Sequence, residues 1–260
     1  MRNSVVTPAA AGAGAYIGAV LIELFGDVNE WPEQDLVGFT ETLDADFTLA
    51  AYAAGLFPMP LHESGYEGIG WWSPVRRGVL PLRALRVSHS LKRSLNRYTT
   101  SIDRAFEQVL SGCADPSRPY GWIDEDIRAV YTELHECGWV HSVESWDEEG
   151  RLVGGLYGVS VHGLFAGESM FHDPQHGRDA SKVALVRLVD ELSAGGRAGL
   201  LDVQWLTPHL ASLGGIEVPR SRYLALLADA LGEPGPSWPE PAASIRRGRA
   251  GPPGAATASR

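Results

Sequence analysis

The sequence predicts a mixed α/β protein in which a meander of strands is followed by helix, strand and helix around one sheet. Two observations carry that reading. Apolar residues recur at helical spacing in three separate stretches, and between the first two of them lie three strand-like runs divided by turn residues. An apolar fraction of 44% over 260 residues supplies enough core-forming side chains for one large domain or two modest ones.

The elements follow in order. Ile127, Val130, Tyr131 and Leu134 fall at i, i+3, i+4 and i+7 behind Asp124 as a helix N-cap, and this helix ends near Gly138. Trp139 to Trp146 reads as a strand, Asp147 to Gly150 as a turn and Leu152 to Val161 as a second strand. The pair His162-Gly163 turns the chain into a third, Leu164 to Phe171. Leu185, Leu188, Val189 and Leu192 repeat the helical spacing and stop at Gly195-Gly196. Gly199 to Trp205 is a short apolar strand, and Leu224, Leu227, Ala228 and Leu231 mark one more helix. This order places helices on the faces of a mixed sheet. From Glu233 onward six prolines sit among Gly, Ala and Arg with no apolar period, which predicts a disordered tail.

Composition narrows the function classes. No uninterrupted run of eighteen apolar residues is present, so an ordinary membrane span is not expected. The stretch Val5 to Phe25 is broken by glycines, contains Glu23 and runs into Asp27, so it does not read as a signal peptide. Two cysteines, Cys113 and Cys137, cannot build a disulfide framework, and a reducing cytoplasm is the default. The net charge of −10 is uneven: residues 3 to 75 hold ten acids and no Lys or Arg. Residues 83 to 104 hold Arg83, Arg86, Lys92, Arg93, Arg97 and Arg104 against the single acid Asp103. That strip is either a solvated basic face or a patch that tracks phosphates, and charge alone does not choose.

Strand periodicity puts Glu168 and Met170 on one face of their strand, and Asp202 and Gln204 on one face of theirs. If those strands are neighbours, two carboxylates and an amide meet beside an apolar wall. Asp202 stands inside the apolar run Leu200-Leu201-Asp202-Val203, where a carboxylate must be paired or have a chemical task. Other chemistries fit poorly. Gly158-Val159-Ser160-Val161-His162 misses the nucleophile elbow at its last position. His135, Cys137 and His141 straddle a helix end and a strand without CxxC or HExxH, and read as structural rather than as metal ligands. The segment Gln175-His176-Gly177-Arg178 precedes a helix on whose amides an acyl-CoA pyrophosphate could rest, but it lacks a second glycine, and neither GxGxxG nor Walker A is present.

A series of short signatures is more specific. Ala51-Tyr52 through Gly55-Leu56-Phe57-Pro58 comes first, then Trp71-Trp72-Ser73-Pro74, Ser90-Leu91-Lys92-Arg93 and Trp122-Ile123. His141-Ser142-Val143-Glu144, Leu152 to Gly158, and Gly167-Glu168-Ser169-Met170-Phe171 continue it. Ala180-Ser181-Lys182, Asp202-Val203-Gln204 and Ser212-Leu213-Gly214 complete it. In this order and spacing the chain resembles the leucyl/phenylalanyl-tRNA-protein transferases, over residues 45 to 231. The resemblance implies an enzyme that moves Leu or Phe from aminoacyl-tRNA to the N-terminal Arg or Lys of a protein, marking it for N-degron proteolysis. It also implies a small N-terminal domain joined to an acetyltransferase-like (GNAT) domain used without acetyl-CoA, and neither cofactor nor metal. The expected divisions are an acidic extension over 1–40, the small domain over 41–85, the GNAT-like domain over 86–232 and the disordered tail over 233–260. The expected partners are Leu-tRNA, Phe-tRNA and proteins with N-terminal Arg or Lys, in the cytoplasm and away from membranes.

By the same resemblance Glu168, Asp202 and Gln204 match the family's active-site positions. Asp202 and Glu168 are expected to hold the cationic N-terminal residue and its amine, with Gln204 orienting the attack. Asp202 is left as either general base or electrostatic anchor. Met170, Leu156 and Leu185 match pocket positions for the donor side chain, with ordinary core as the competing reading. Trp122 matches the aromatic that stacks on the terminal adenosine, and Lys92, Arg93 and Arg97 match the family's basic strip. Met59 stands where the family carries Trp, and His89 and Asn96 thin the strip. The alternative reading is a GNAT-type N-acyltransferase using acyl-CoA.

Overall fold

The computed structural model describes residues 26–61, 68–116, 121–196, 199–240 and 244–247. The stretch Val5 to Phe25 and the last part of the expected tail lie outside them. The chain divides into two compact units between Val75 and Arg76. The first holds a three-stranded antiparallel sheet in the order β1 (Leu36–Thr40), β3 (Ile69–Trp72), β2 (Phe57–Pro60). Helix α1 (Ala45–Ala53) starts on Asp44, whose side chain accepts from the Phe47 amide, and Ala51, Leu56, Ile69 and Trp71 form the small core.

The second unit is an eight-stranded sheet in the order β10-β4-β9-β8-β7-β6-β5-β11. Its strands are β4 (Arg76–Val79), β5 (Thr99–Ile102), β6 (Val140–Trp146), β7 (Leu152–Val161), β8 (Leu164–His172), β9 (Leu200–Asp202), β10 (Ile216–Pro219) and β11 (Arg246–Arg247). Thus Arg76–Val79, which the expected boundary at residue 85 puts in the small domain, belongs to the larger sheet. Among the described residues only the β8/β9 pair is parallel; the helix between them, α5 (Ala180–Ser193), is the crossover. The helices α2 (His89–Leu95), α3 (Phe106–Cys113), α4 (Glu125–Glu136), α6 (Pro208–Ser212) and α7 (Arg220–Leu231) complete the unit. This mixed α/β arrangement is the predicted class and is compatible with an acetyltransferase-like fold.

The glycine pair in β7 explains how two helices flank one strand closely. A Cβ on Gly154 would lie 2.6 Å from the Ala180 Cβ at the start of α5, and one on Gly155 would lie 3.0 Å from Val109 of α3. Successive residues face opposite sides of a strand, so α5 and α3 cover opposite faces. On the α5 face Leu156, Val143, Ile102 and Phe165 pack with Leu185, Leu188, Val189 and Leu192 into the main core cluster.

Two expectations differ. The strand predicted over Gly199 to Trp205 is only Leu200–Asp202, because Gln204 turns into the left-handed region at φ 54. The described part of the Pro-rich segment is also held in place. Trp238 stacks on His141 at 4.3 Å and packs against the main core, while Ser244 Oγ accepts from the Ile102 amide at 2.9 Å. Arg246–Arg247 adds a strand to β5, and Arg246 pairs with Glu191 at 2.9 Å. One aromatic and one hydroxyl anchor what composition alone assigns to disorder.

Glu144 on β6 is fully buried, accepting from Ser142 Oγ at 2.5 Å and from Ser101 Oγ. Burial pushes its carboxyl above the usual glutamate range, with the two hydroxyls pulling less strongly the other way. A raised native value means that this group's share of stability is present below the ordinary glutamate pKa and declines as pH rises through the native one. The Glu144→Gln variant should therefore gain thermal stability relative to the parent between pH 5 and pH 8, read as the difference in Tm at the two values.

Candidate active site

Four strands converge on the site. β9 carries Asp202, and β4, paired with it at Val79 and Asp202, carries Arg77. Both side chains are buried completely. Arg77 holds the carboxylate with two prongs, Nε to Oδ1 at 2.8 Å and Nη2 to Oδ2 at 2.6 Å. The Tyr223 hydroxyl on α7 donates to Oδ2 at 2.9 Å, and the guanidinium lies 4.3 Å over its ring. Burial opposes the Arg77 charge, but Asp202 and Tyr223 outweigh it, so the guanidinium is held more firmly protonated than usual. Burial likewise pushes the Tyr223 hydroxyl well above its ordinary range, so it stays a donor.

The remaining contact on Asp202 shapes the chain beyond it. Oδ1 accepts the Gln204 amide at 3.0 Å, and the Gln204 carbonyl accepts from the Gly78 amide at 2.7 Å. These two bonds keep Gln204 left-handed, a conformation that costs a non-glycine residue on the order of 1–3 kcal/mol. Periodicity had put Asp202 and Gln204 on one face of a continuing strand; instead the turn sends the Gln204 side chain to Glu168. Gln204 Nε2 donates to Glu168 Oε1 at 3.0 Å. A carboxylate oxygen only accepts, so the amide must present its NH2 there and its carbonyl elsewhere.

Glu168 reaches this position through a β-bulge. On the β7/β8 ladder Ser169 pairs with Tyr157 and Gly167 pairs with Gly158, so Glu168 is the extra residue of the bulge. Gly158 is required at the step: a Cβ there would lie 2.2 Å from the Ala166 carbonyl oxygen. The other Glu168 oxygen accepts from the Tyr131 hydroxyl of α4 at 3.2 Å, and Trp122 stands edge-on to the Tyr131 ring at 6.3 Å. Beyond the bulge Met170 pairs with Leu156 and packs, half-buried, against the cluster that contains Leu156 and Leu185.

The structure thus joins Trp122 to Glu168 through Tyr131, joins Glu168 to Asp202 through Gln204, and gathers Met170, Leu156 and Leu185 in one apolar cluster. Asp202 differs from the expectation that it holds a substrate cation. Its oxygens are taken by Arg77, Tyr223 and the Gln204 amide, which makes it an internal anchor. Lys92, Arg93 and Arg97 form no part of this cluster. They are exposed on α2 and just after it, while the other side of that helix packs through Leu91 and Leu95 against Val183 and Val186 of α5.

Sequence reasoning missed Arg77, Tyr223 and Tyr131. A buried Asp202 demanded a cation, and Tyr131 sat in a core stripe with a hydroxyl in need of a partner; those were the available signals. The weighed metal ligands have other tasks. His135 stacks on Phe106 at 4.1 Å, and His141 Nδ1 lies 2.6 Å from Asp103. The helix start proposed for an acyl-CoA pyrophosphate carries the Asp179 carboxylate, bonded to Lys182 at 2.8 Å and Ser94 at 3.1 Å. Lys182, first among several partners, keeps that carboxyl below its usual range, so negative charge already occupies the end of α5. No helix among the described residues is long and apolar enough to cross a membrane.

Residues 79–228 match the family model of the leucyl/phenylalanyl-tRNA protein transferases, and residues 41–75 match that of their N-terminal domain. The chain belongs to this family. It is an aminoacyltransferase. The leucyl/phenylalanyl-tRNA–protein transferase of Ruegeria sp. (strain TM1040) is 49% identical over 79% of this chain and 97% of its own length. That of Afipia carboxidovorans is 50% identical over 75% of this chain and 85% of its own. Among solved structures, L-PGS from Bacillus licheniformis overlaps 67% of this chain and 57% of its own with a TM-score of 0.34 at 12% identity, too loosely to bear on the argument.

Removing one partner of a buried ion pair costs about 3–5 kcal/mol. Asp202→Ala should lower the free energy of unfolding in urea by that order, because Arg77 is left charged and enclosed. A loss below about 1 kcal/mol, the range of exposed pairs, would contradict the anchor.

Proposed function

We propose that this aminoacyltransferase moves Leu or Phe from aminoacyl-tRNA to the N-terminal Arg or Lys of acceptor proteins, which tags them for N-degron proteolysis in the cytoplasm. The observation that carries the reading is the Gln204–Glu168 contact of 3.0 Å, with Met170 two residues further along the same strand and packed against the cluster that contains Leu156 and Leu185. A paired carboxylate and amide on the strand that carries Met170 support this reading, since aminolysis of an aminoacyl ester calls for a proton acceptor, an oriented amine and an apolar seat for the donor side chain.

The acceptor α-amine must be neutral to attack, and about a tenth is neutral at pH 7. Glu168 draws the amine in as a cation and accepts a proton from it, while the Gln204 carbonyl oxygen aligns a remaining N–H. That first proton passes on to solvent; the new N–C bond then forms as the ester C–O bond to the ribose breaks, and the amine's second proton passes through Glu168 to the released 3′ oxygen. Leu156, Met170 and Leu185 receive the donor side chain; the preference over smaller side chains is about 1–3 kcal/mol per missing methylene. Trp122 stacks on the terminal adenosine, a contact worth roughly 1–3 kcal/mol. Lys92, Arg93 and Arg97 follow the tRNA backbone without reading bases, which suits an enzyme that accepts several tRNAs.

Labelled Leu-tRNA incubated with a peptide beginning in Arg should yield leucylated peptide, and ribonuclease pretreatment should abolish it. Product that forms only with acyl-CoA would overturn the reading. Glu168→Gln should reduce turnover at least about tenfold while Leu-tRNA binding is nearly unchanged. Arg93→Glu should weaken tRNA binding and flatten the log–log salt dependence by roughly one phosphate contact, as measured by filter binding across a salt series.

A further inference from the structure

We propose that Arg77 and Tyr223 are positioning residues for the transfer reaction, acting through Asp202 to hold the turn that aims Gln204 at Glu168. The proposal rests on the reading of Glu168 and Gln204 as the groups that meet the amine. Neither Arg77 nor Tyr223 is placed against the substrate by that reading, and both are enclosed. Both bond one carboxylate, which in turn fixes a backbone amide.

The geometry forms a single relay of position. Arg77 takes both oxygens of Asp202, through Nε at 2.8 Å and Nη2 at 2.6 Å. Tyr223 adds a third bond at 2.9 Å and lies beneath the guanidinium, so the carboxylate cannot rotate. With the Gln204 amide held on Oδ1 and its carbonyl held from the neighbouring strand, the dihedrals between those two groups are fixed, at φ 54. Arg77's own strand supplies the other half of the clamp. The Gly78 amide donates to the Gln204 carbonyl at 2.7 Å, and the Gly78 carbonyl accepts from the Val203 amide at 3.0 Å. Gly78 permits this approach, since a Cβ there would fall 2.9 Å from the Leu206 nitrogen. If the carboxylate were free to swing, Gln204 would relax toward the extended conformation that glutamine prefers. Its side chain would then return to the alternation of its strand and leave Glu168.

Tyr223→Phe tests this while keeping the ring under Arg77. Steady-state transfer from Leu-tRNA to an Arg-peptide is compared for the parent, Tyr223→Phe, Gln204→Ala and the double variant, at a temperature where circular dichroism shows all four folded. The expected result is a kcat lowered roughly 10- to 150-fold in Tyr223→Phe, the range for one hydrogen bond to a charged group, with KM for Leu-tRNA within about twofold. The double variant should be no slower than Gln204→Ala alone, since Tyr223 acts only through Gln204. Arg77→Lys, which retains the charge but loses the two-pronged grip, gives a second reading of the same quantity should Tyr223→Phe fold poorly. It should likewise lower kcat with KM kept. Full kcat in the Tyr223 and Arg77 variants alongside a slow Gln204→Ala would overturn this proposal alone, as would losses that multiply in the double variant. Full kcat in Gln204→Ala would remove the site reading and the proposal together.

Discussion

A carboxylate sealed inside the sheet is the constraint from which the rest of the site follows. Asp202 lies at the end of a three-residue strand, fully buried, and an uncompensated charge there would be prohibitive. Its compensation fixes three elements at once. The cation comes from β4, which must lie beside β9; the hydroxyl comes from α7, which must pack across both; and the backbone donor comes from the residue where β9 stops. A buried ion pair of this kind contributes little net stability compared with apolar packing, because desolvation offsets most of the attraction. Its effect here is geometric: it defines where the chain may turn.

Two local irregularities then turn a regular sheet into a site. In an unbroken ladder Glu168 would follow the alternation of β8, and Gln204 that of β9. The bulge at Glu168 and the left-handed turn at Gln204 each release one side chain from its strand's alternation, and the two meet. Both irregularities depend on glycines of neighbouring strands, Gly158 and Gly78, whose lack of a side chain lets backbone approach backbone.

Much of the sheet is legible in the sequence. The limits of α4, β6 and β7 follow from local causes: a capping aspartate, a turn and a change of hydrophobic period. What the sequence hides has distant causes. The end of β9 depends on a hydrogen bond to Gly78, and the partner of Asp202 is 125 residues away along the chain. The bulge leaves no mark in periodicity, because it adds one residue to β8 without changing the residue types around it. The site residues were therefore named by their signatures, while the manner of their meeting, and the shielding of Asp202, required coordinates. The Pro-rich segment misled for the converse reason: its composition is that of a flexible chain, yet Trp238 and Ser244 each find a specific seat.

That segment also governs how the sheet is completed. β5 would be an edge strand, with a row of open backbone groups, were it not covered by Arg246–Arg247. The cover is short, reaching only Thr99 and Thr100, so a chain cut before Arg246 would leave those two residues with open backbone groups along that flank.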